Sequence, residues 1–209
     1  MSNTTVIIKT LGRTTLSAAV DSAKREGFDI LVVGDGVTAS IKETDTVTTV
    51  RLGRKWGYYG GMAANVGAAL AKTEFITFLD DDDEFIVGAG DVIRKKLKEK
   101  PEVDVWIGGV RFKIPIQITD PDGKIILSST DLGLSPELGV NPGNVCMPTY
   151  RTSIFRNVPF IDNIPEAQSN LTDYYHINTC KMLGYTVDWF RSVLYLVRPK
   201  EEGLNGEGQ

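Results

Sequence analysis

Short apolar runs alternate with amphipathic stretches over the first hundred residues of the chain. The apolar runs are rich in β-branched residues, as in DILVVG at Asp29–Gly34, which is typical of buried strands. The stretches between them place apolar residues three and four positions apart, as helices do. Because this alternation is the pattern of parallel strands joined by crossover helices, it predicts an α/β fold.

The same pattern gives approximate bounds for the elements of this first half. Strands are predicted at residues 5–9, 29–34, 46–52, 74–79 and 103–110, and helices at residues 15–25, 62–72 and 87–100. The second helix follows a glycine-rich turn, and its small residues allow close packing on a sheet. Four aspartates at residues 80–83 then lie just past the carboxyl end of a strand, where ligands bind in open α/β sheets.

Beyond residue 110 the pattern becomes that of antiparallel strands. Residues 111–119 and 124–128 flank DPDG, whose proline, aspartate and glycine suit a tight turn. Residues 129–148 are predicted as loop. Further along, a helix is expected at residues 172–183 and a strand region at residues 185–197. The polar, glycine-rich residues 199–209 are expected to be mobile or ordered only by a ligand.

Composition points to one domain without nucleic-acid or membrane partners. The chain has 209 residues, of which 42% are apolar and 24% charged, and such a chain can form a core of its own. A net charge of −4 gives no basic surface for phosphate contacts. Two cysteines are too few for a disulfide framework, and no apolar run approaches the ~18 residues of a membrane span. We therefore expect a soluble cytoplasmic domain, with a nucleotide-binding half at about residues 1–110 and an acceptor half at about 111–198.

The four consecutive aspartates are the strongest candidate for chemistry. At ~4 Å and an effective dielectric constant of ~20, two like charges repel by ~4 kcal/mol, so the run needs either a cation or full solvation. Mg²⁺ and Mn²⁺ prefer oxygen ligands, and Mg²⁺ sites commonly combine one or two carboxylates with substrate phosphates. In an extended segment Asp80 and Asp82 point to one side, and Asp81 and Asp83 to the other. A metal site and a solvated acidic loop are the two interpretations.

Three other side chains are candidates for the same site. Asp35 lies between two glycines at the end of the second predicted strand, where it is either a contact to a base or ribose or an ordinary turn residue. Asp173 and His176 are three residues apart and share one face of a predicted helix. They could supply a general base and a metal ligand to one cleft. For the single histidine of the chain, packing in the core is the alternative.

Three segments resemble the signature regions of family 2 glycosyltransferases with the GT-A fold, a Rossmann-like mixed sheet flanked by helices. They are VIIKTLGRTTLSAAVDSAKREGFDILVVGDG, GGMAANVGAALAKTEFITFLDDDDEF and EAQSNLTDYYHINTCKMLGY, and the resemblance covers roughly residues 5–200. It implies that Asp35 contacts the nucleoside, Asp80 the ribose or metal region, and Asp82 the cation that bridges the two phosphates. It also implies that Asp173 is the general base.

From this resemblance we assign the remaining site residues. Nucleotide binding is assigned to Thr10, Gly12, Arg13, Asp35, Asn65, Asp80 and Asp81. Asp82 is the assigned metal ligand, together with His176, because a histidine often completes the metal shell in retaining GT-A enzymes. Three positions depart from the family pattern: Gly34 replaces a second acid, Ala64 an arginine, and Thr172 a glutamate. These departures leave the stereochemical outcome open.

The resemblance implies a Mn²⁺- or Mg²⁺-dependent enzyme that transfers a hexose from a nucleoside diphosphate sugar to a hydroxyl acceptor. UDP-glucose is the first candidate donor, by family frequency, and a glycan, a lipid or a small molecule is the expected acceptor. A sugar-phosphate nucleotidyltransferase is one alternative, since LGRTT at residues 11–15 resembles part of its glycine-rich start. A non-catalytic nucleotide- or carbohydrate-binding module is another, although intact acids at positions 35, 80, 82 and 173 argue against a decayed site.

Overall fold

A computed structural model of the chain describes residues 3–57, 60–119, 122, 125–132, 134, 147–160 and 172–197. The strands in these residues are β1 (Thr4–Thr10), β2 (Asp29–Gly34), β3 (Val47–Arg51), β4 (Phe75–Asp80), β5 (Asp83–Phe85), β6 (Val105–Thr119), β7 (Ile125–Leu132), β8 (Met147–Arg151) and β9 (Val187–Val197). The helices are α1 (Leu16–Arg25), α2 (Gly61–Leu70), α3 (Ala89–Glu99), α4 (Thr152–Asn157) and α5 (Thr172–Met182).

The described strands form one mixed sheet in the order β3-β2-β1-β4-β8-β6-β9-β5, and β7 pairs with β6. Strands β3, β2, β1 and β4 are parallel to one another, whereas β8 is antiparallel to both of its neighbours. β5 follows β4 after two residues, yet it pairs with β9 at the other end of the order. The sheet is therefore curled, and its parallel half and its far edge meet at the loop between β4 and β5.

The parallel half confirms the predicted strands and helices to within one or two residues at most ends. The second half differs more. β6 is one continuous strand where two were predicted, and β7 extends into the predicted loop to Leu132. β5, β8 and α4 were not predicted, because each is shorter than the window over which hydrophobic periodicity can be recognised. Of the predicted DPDG turn only Asp122 is described, and residues 199–209 lie outside the described residues.

Two apolar layers cover the two faces of the sheet. One contains Val6 and Ile8 of β1 with buried residues of α1 and α3. The other contains Ile7 of β1 with buried residues of α2, α4 and α5. Because alternate residues of a strand share a face, Lys9 continues the face of Ile7 and lies on the side of α2 and α5.

Helix α2 packs very closely on β1, as its small residues predicted. A Cβ atom built on Gly67 would lie 2.5 Å from Cγ2 of Ile7, a separation that no side chain can adopt without moving its neighbour. At the start of the same helix, a Cβ atom on Gly60 would lie 2.9 Å from Cδ of Lys9. Gly67 therefore sets the carboxyl half of α2 against the middle of β1, and Gly60 sets the amino end of α2 against the carboxyl end of β1.

Candidate active site

The four aspartates surround a turn at the carboxyl edge of the parallel strands. β4 ends at Asp80, the chain turns through Asp81 and Asp82, and β5 begins at Asp83. Carboxylate oxygens of Asp80, Asp82 and Asp83 all lie within 4.8 Å of one another. The predicted alternation is therefore wrong for Asp83, since the turn redirects its side chain toward Asp80 and Asp82.

Asp81 faces away from this group and binds the segment that follows β1. Its carboxylate accepts hydrogen bonds from the Thr10 hydroxyl at 2.6 Å, from the Leu11 backbone N–H at 3.3 Å and from Arg13 at 2.7 Å. Gly12, whose φ angle is +87°, donates its N–H to the Thr10 hydroxyl at 2.9 Å. Thr10, Gly12, Arg13 and Asp81, all assigned to nucleotide binding, thus form one connected unit.

Arg13 bridges two members of the aspartate run. The guanidinium nitrogen that contacts Asp81 also lies 3.0 Å from Asp82. The pKa of Asp82 is nevertheless raised above its ordinary value, first because burial disfavours the charged carboxylate. Arg13 opposes that shift, whereas the charges of Asp80 and Asp81 add to it. A cation beside Asp82 would relieve both effects.

Lys9 is a charged residue of this site that sequence analysis missed. It is paired with Asp80 in the register of β1 and β4, and its Nζ atom lies 2.9 Å from Oδ1 of Asp80. Burial alone would lower the pKa of Lys9, but the charges of Asp80, Asp173 and Asp83 outweigh burial and raise it. The signal was present in VIIKT, where a lysine follows three apolar residues of a buried strand.

Asp173 lies in the first turn of α5, where the structure places it near Lys9 and Asp80. It precedes buried Ile177 by four residues, so it extends the packed face of the helix toward the carboxyl edge of the sheet. Burial raises the pKa of Asp173 to about 6, with Lys9 acting against that rise and Asp80 adding to it. A carboxylate with such a pKa can accept a proton near neutral pH.

Asp35 is buried and holds the glycine-rich segment before α2. One of its carboxylate oxygens accepts the backbone N–H of Trp56 and the other that of Gly57, each at 2.8 Å. Its own N–H donates to the Thr10 carbonyl at 2.9 Å. The guanidinium carbon of Arg54 lies 3.9 Å from the centre of the half-exposed Trp56 ring. Asp35 therefore fixes an Arg–Trp pair beside the end of β2.

Asn65 and His176 are not brought to the carboxylates. Asn65 donates its side-chain amide to the Phe160 carbonyl at 3.1 Å and accepts the Phe160 N–H at 2.9 Å. This double hydrogen bond joins α2 to the segment after α4. The structure therefore gives Asn65 a bracing role in the layer beneath the site.

His176 is buried among aromatic rings, with the ring centres of Phe155 and Phe160 at 4.7 and 4.9 Å. Its Nε2 atom contacts the Val158 carbonyl, which can only accept, so Nε2 carries the proton. Nδ1 then accepts from the Tyr150 hydroxyl at 3.1 Å. Burial lowers the pKa of His176 to about 4. Since neither ring nitrogen has a lone pair left for a metal, the expectation that His176 completes a metal shell does not fit this arrangement.

The residues present suit a divalent cation bound through oxygen. Asp80, Asp82 and Asp83 supply convergent carboxylates, the ligand type that Mg²⁺ and Mn²⁺ prefer. The four aspartates carry four negative charges, and the paired Lys9 and Arg13 carry two positive charges. With Asp173 also near Lys9 and Asp80, the acids of the site outnumber these two cations, and a divalent ion would reduce the excess of negative charge.

The curled mixed sheet, the helices on both faces and an acidic turn at the carboxyl edge define a GT-A glycosyltransferase fold. The family described as "Glycosyl transferase family 2" matches residues 5–126, more than half of the chain. The chain therefore belongs to glycosyl transferase family 2. Both the predicted family and the predicted fold class are confirmed.

Solved structures share this fold at low sequence identity. The crystal structure of S. aureus TarS 1-349 matches with a TM-score of 0.64 and 16% identity, over 93% of this chain and 60% of that chain. TarS 1-349 in complex with UDP-GlcNAc matches with a TM-score of 0.63 and 15% identity, over 95% and 59%. The mannosyltransferase PcManGT from Pyrobaculum calidifontis, in complex with GDP-Man and Mn²⁺, matches with a TM-score of 0.63 and 13% identity, over 96% and 58%.

The chain thus spans about three fifths of the length of these structures. None of the curated proteins matches it. Within the part of the chain that the structure describes, no helix has the length and apolar character needed to cross a bilayer.

Proposed function

We propose that this protein is a metal-dependent glycosyltransferase that moves a hexose from a nucleoside diphosphate sugar to a hydroxyl acceptor. The observation that carries the proposal is the convergence of Asp80, Asp82 and Asp83 beside Asp173 at the carboxyl edge of the sheet. The acids would hold Mn²⁺ or Mg²⁺, and Asp173 would meet the acceptor. The acceptor would be a glycan, a lipid or a small molecule.

A divalent cation on these carboxylates would stabilise the negative charge that develops on the departing diphosphate. The protein would prepare the donor side of the site through the unit of Thr10, Gly12, Arg13 and Asp81. Within this unit, Arg13 carries the positive charge that would attract a phosphate group. Asp35 would act on the nucleoside side, by fixing Trp56 and Gly57 where a base can lie against them.

Asp173 would be the general base that takes the proton of the acceptor hydroxyl. Its pKa of about 6 keeps it ionised at neutral pH, while it remains a stronger base than an ordinary aspartate. A base on the acceptor side corresponds to inversion at the anomeric carbon. The core position of His176 also supports inversion, since the retaining alternative assigned that residue to the metal.

The donor is proposed as a UDP-sugar, with UDP-glucose tested first. Structures that share the fold contain UDP-GlcNAc and GDP-Man with Mn²⁺, and these compounds are the next two donors to test. All three carry the nucleoside diphosphate group that the acidic turn and Arg13 suit.

The test is calorimetric titration with UDP, with and without Mn²⁺, for the native protein, Asp82→Ala and Asp91→Ala. Asp91 is an exposed aspartate on α3 and serves as the matched control. We expect UDP binding that requires both Mn²⁺ and Asp82 and that is unchanged in the control. Metal-independent binding, or none with any nucleotide, contradicts the proposal. Turnover of the donors then follows, and pyrophosphate release from a nucleoside triphosphate and a sugar phosphate would favour a nucleotidyltransferase instead.

A further inference from the structure

Lys9 places a cation inside a site whose other charged groups are mostly acids. Its side chain is 19% exposed, and its Nζ atom lies 2.9 Å from Oδ1 of Asp80. The charges of Asp173 and Asp83 act on the same ammonium group. A largely buried ammonium group needs carboxylate partners of this kind, because it has lost most of its hydration.

The backbone gives Lys9 little freedom to point elsewhere. The pairing of Lys9 with Asp80 in β1 and β4 puts the two side chains next to each other on one face of the sheet. Above them, the missing side chain of Gly60 leaves only enough room for the aliphatic part of Lys9, since a Cβ there would be 2.9 Å from Cδ. The ammonium group is thereby directed along the sheet toward Asp80.

Two of the three acids that act on Lys9 have different tasks in the proposed reaction. Asp80 belongs to the group of carboxylates that suits a metal, and Asp173 is the proposed base. Asp80 and Asp173 also act on each other as like charges. A cation that faces both would reduce this repulsion and keep both carboxylates in place.

We propose that Lys9 is a positioning residue that faces both Asp80 and Asp173, orients the two carboxylates for the reaction, and competes with the divalent cation for the charge of Asp80. This inference rests on the proposed function. It predicts that the loss of Lys9 affects metal binding and turnover in opposite directions. Loss of Lys9 should strengthen metal binding, because a positive charge near the metal is removed, and should slow turnover, because the carboxylates lose their common partner.

The test compares Lys9→Met with Lys9→Arg and Lys98→Met. Methionine has a similar length without the charge, arginine keeps the charge, and Lys98 is exposed on α3. Mn²⁺ alone is titrated by calorimetry, and kcat and KM are then measured with the best donor. For Lys9→Met we expect Mn²⁺ to bind at least tenfold more tightly, because at an effective dielectric constant of ~20 a unit charge several ångströms from a divalent ion repels it more strongly than in bulk water. We expect kcat to fall at least tenfold while KM for the donor changes little, Lys9→Arg to recover part of kcat, and Lys98→Met to behave as the native protein.

Thermal unfolding with and without Mn²⁺ gives a second measure of metal binding if Lys9→Met folds poorly. A ligand that binds more tightly raises Tm further, so Mn²⁺ should raise the Tm of Lys9→Met more than that of the native protein. Unchanged or weaker Mn²⁺ binding in Lys9→Met overturns the inference, as does a change confined to KM, which would indicate direct contact with the donor. If the native protein binds no Mn²⁺ but Lys9→Met does, Lys9 is supported as the competing cation and the metal-dependent part of the proposed function fails. If neither binds Mn²⁺, both fail.

Discussion

Arg13 and Asp81 join the segment after β1 to the turn after β4 through a hydrogen-bonded ion pair of 2.7 Å. Asp81 is buried, and Arg13 reaches Asp82 from the same nitrogen. The aspartate run is therefore neither a solvated loop nor four equivalent metal ligands. One member is a structural partner of the β1 segment, and the other three converge.

Replacement of Arg13 by methionine should weaken both the fold and nucleotide binding. The change leaves the buried Asp81 without its cationic partner, which costs about 1–3 kcal/mol of unfolding free energy. Urea unfolding measures this loss, and calorimetry with UDP and Mn²⁺ should show at least a tenfold weaker affinity. Arg111→Met is the control, because Arg111 also pairs with an aspartate, Asp131, through two hydrogen bonds on an exposed surface. If the two variants lose the same stability and affinity, Arg13 has no special role.

Asp173→Asn should make the protein more stable above pH 6 and inactive. The pKa of Asp173 is about 6 in the folded protein, against an ordinary value of 3.8. Between these values the folded state holds the proton and the unfolded state does not, so this group's contribution to stability declines as pH rises through 6. The Asp173→Asn substitution should therefore raise the free energy of unfolding by about 1–2 kcal/mol at pH 8 and leave it unchanged at pH 4.

The measurement is urea unfolding of Asp173→Asn at pH 4, 6 and 8, with Asp45→Asn, an exposed position, as the control. Turnover at pH 8 is measured on the same samples. If Asp173→Asn is less stable than the native protein at pH 8, the folded state does not disfavour the charged form of Asp173. A variant with native turnover would remove Asp173 from the role of base.

His176→Gln should change the response of stability to acid without changing metal binding. The pKa of His176 is about 4 in the folded protein and 6.5 ordinarily. Between these values the unfolded state takes up a proton that the folded state does not, so the contribution of this residue is present above pH 6.5 and is lost as pH falls toward 4. As pH falls from 6.5 toward 4, protonation of His176 in the unfolded state should lower the free energy of unfolding of the native protein by up to about 3 kcal/mol. The variant should not show this loss.

Urea unfolding at pH 4.5 and 7 measures that difference, and Mn²⁺ titration at pH 7 tests the other half of the prediction. Glutamine keeps a donor and an acceptor for Val158 and Tyr150, which limits structural damage. A large fall in Mn²⁺ affinity would restore His176 as a metal ligand.

Asp35→Asn should loosen the segment that carries Trp56. One of the two carboxylate oxygens becomes an N–H₂ group that cannot accept, so the bond to Trp56 or Gly57 is lost at a cost of about 1–3 kcal/mol. Hydrogen exchange of the Trp56 and Gly57 amides should become faster, and UDP should bind roughly tenfold more weakly. Native exchange together with weaker UDP binding would instead indicate a direct contact between Asp35 and the nucleotide.

The parallel half of the fold and the position of the acidic turn followed from local pattern. In β1, β2 and β4 each apolar run is bounded by polar residues, and burial of both faces of a parallel strand requires such a run. The end of β4 beside the aspartate run was visible for the same reason, and the helical pattern from residue 172 placed Asp173 in the first turn of α5. The shorter elements β5, β8 and α4 were not visible, because each is too short to show a local period. The strands β5 and β8 also pair with strands that are distant in the chain.

The sequence by itself determined which residue types were available at the carboxyl edge of the sheet, through strand ends that carry aspartates and a family pattern that matches them. Only the tertiary structure decided what each aspartate does. Asp81 became a partner of Arg13, Asp83 joined Asp80 and Asp82, His176 entered the aromatic core, and Lys9 entered the site. The physical reason is that these roles depend on directions and distances between elements far apart in the chain, which the curl of the sheet and the close approach of α2 at Gly60 and Gly67 establish.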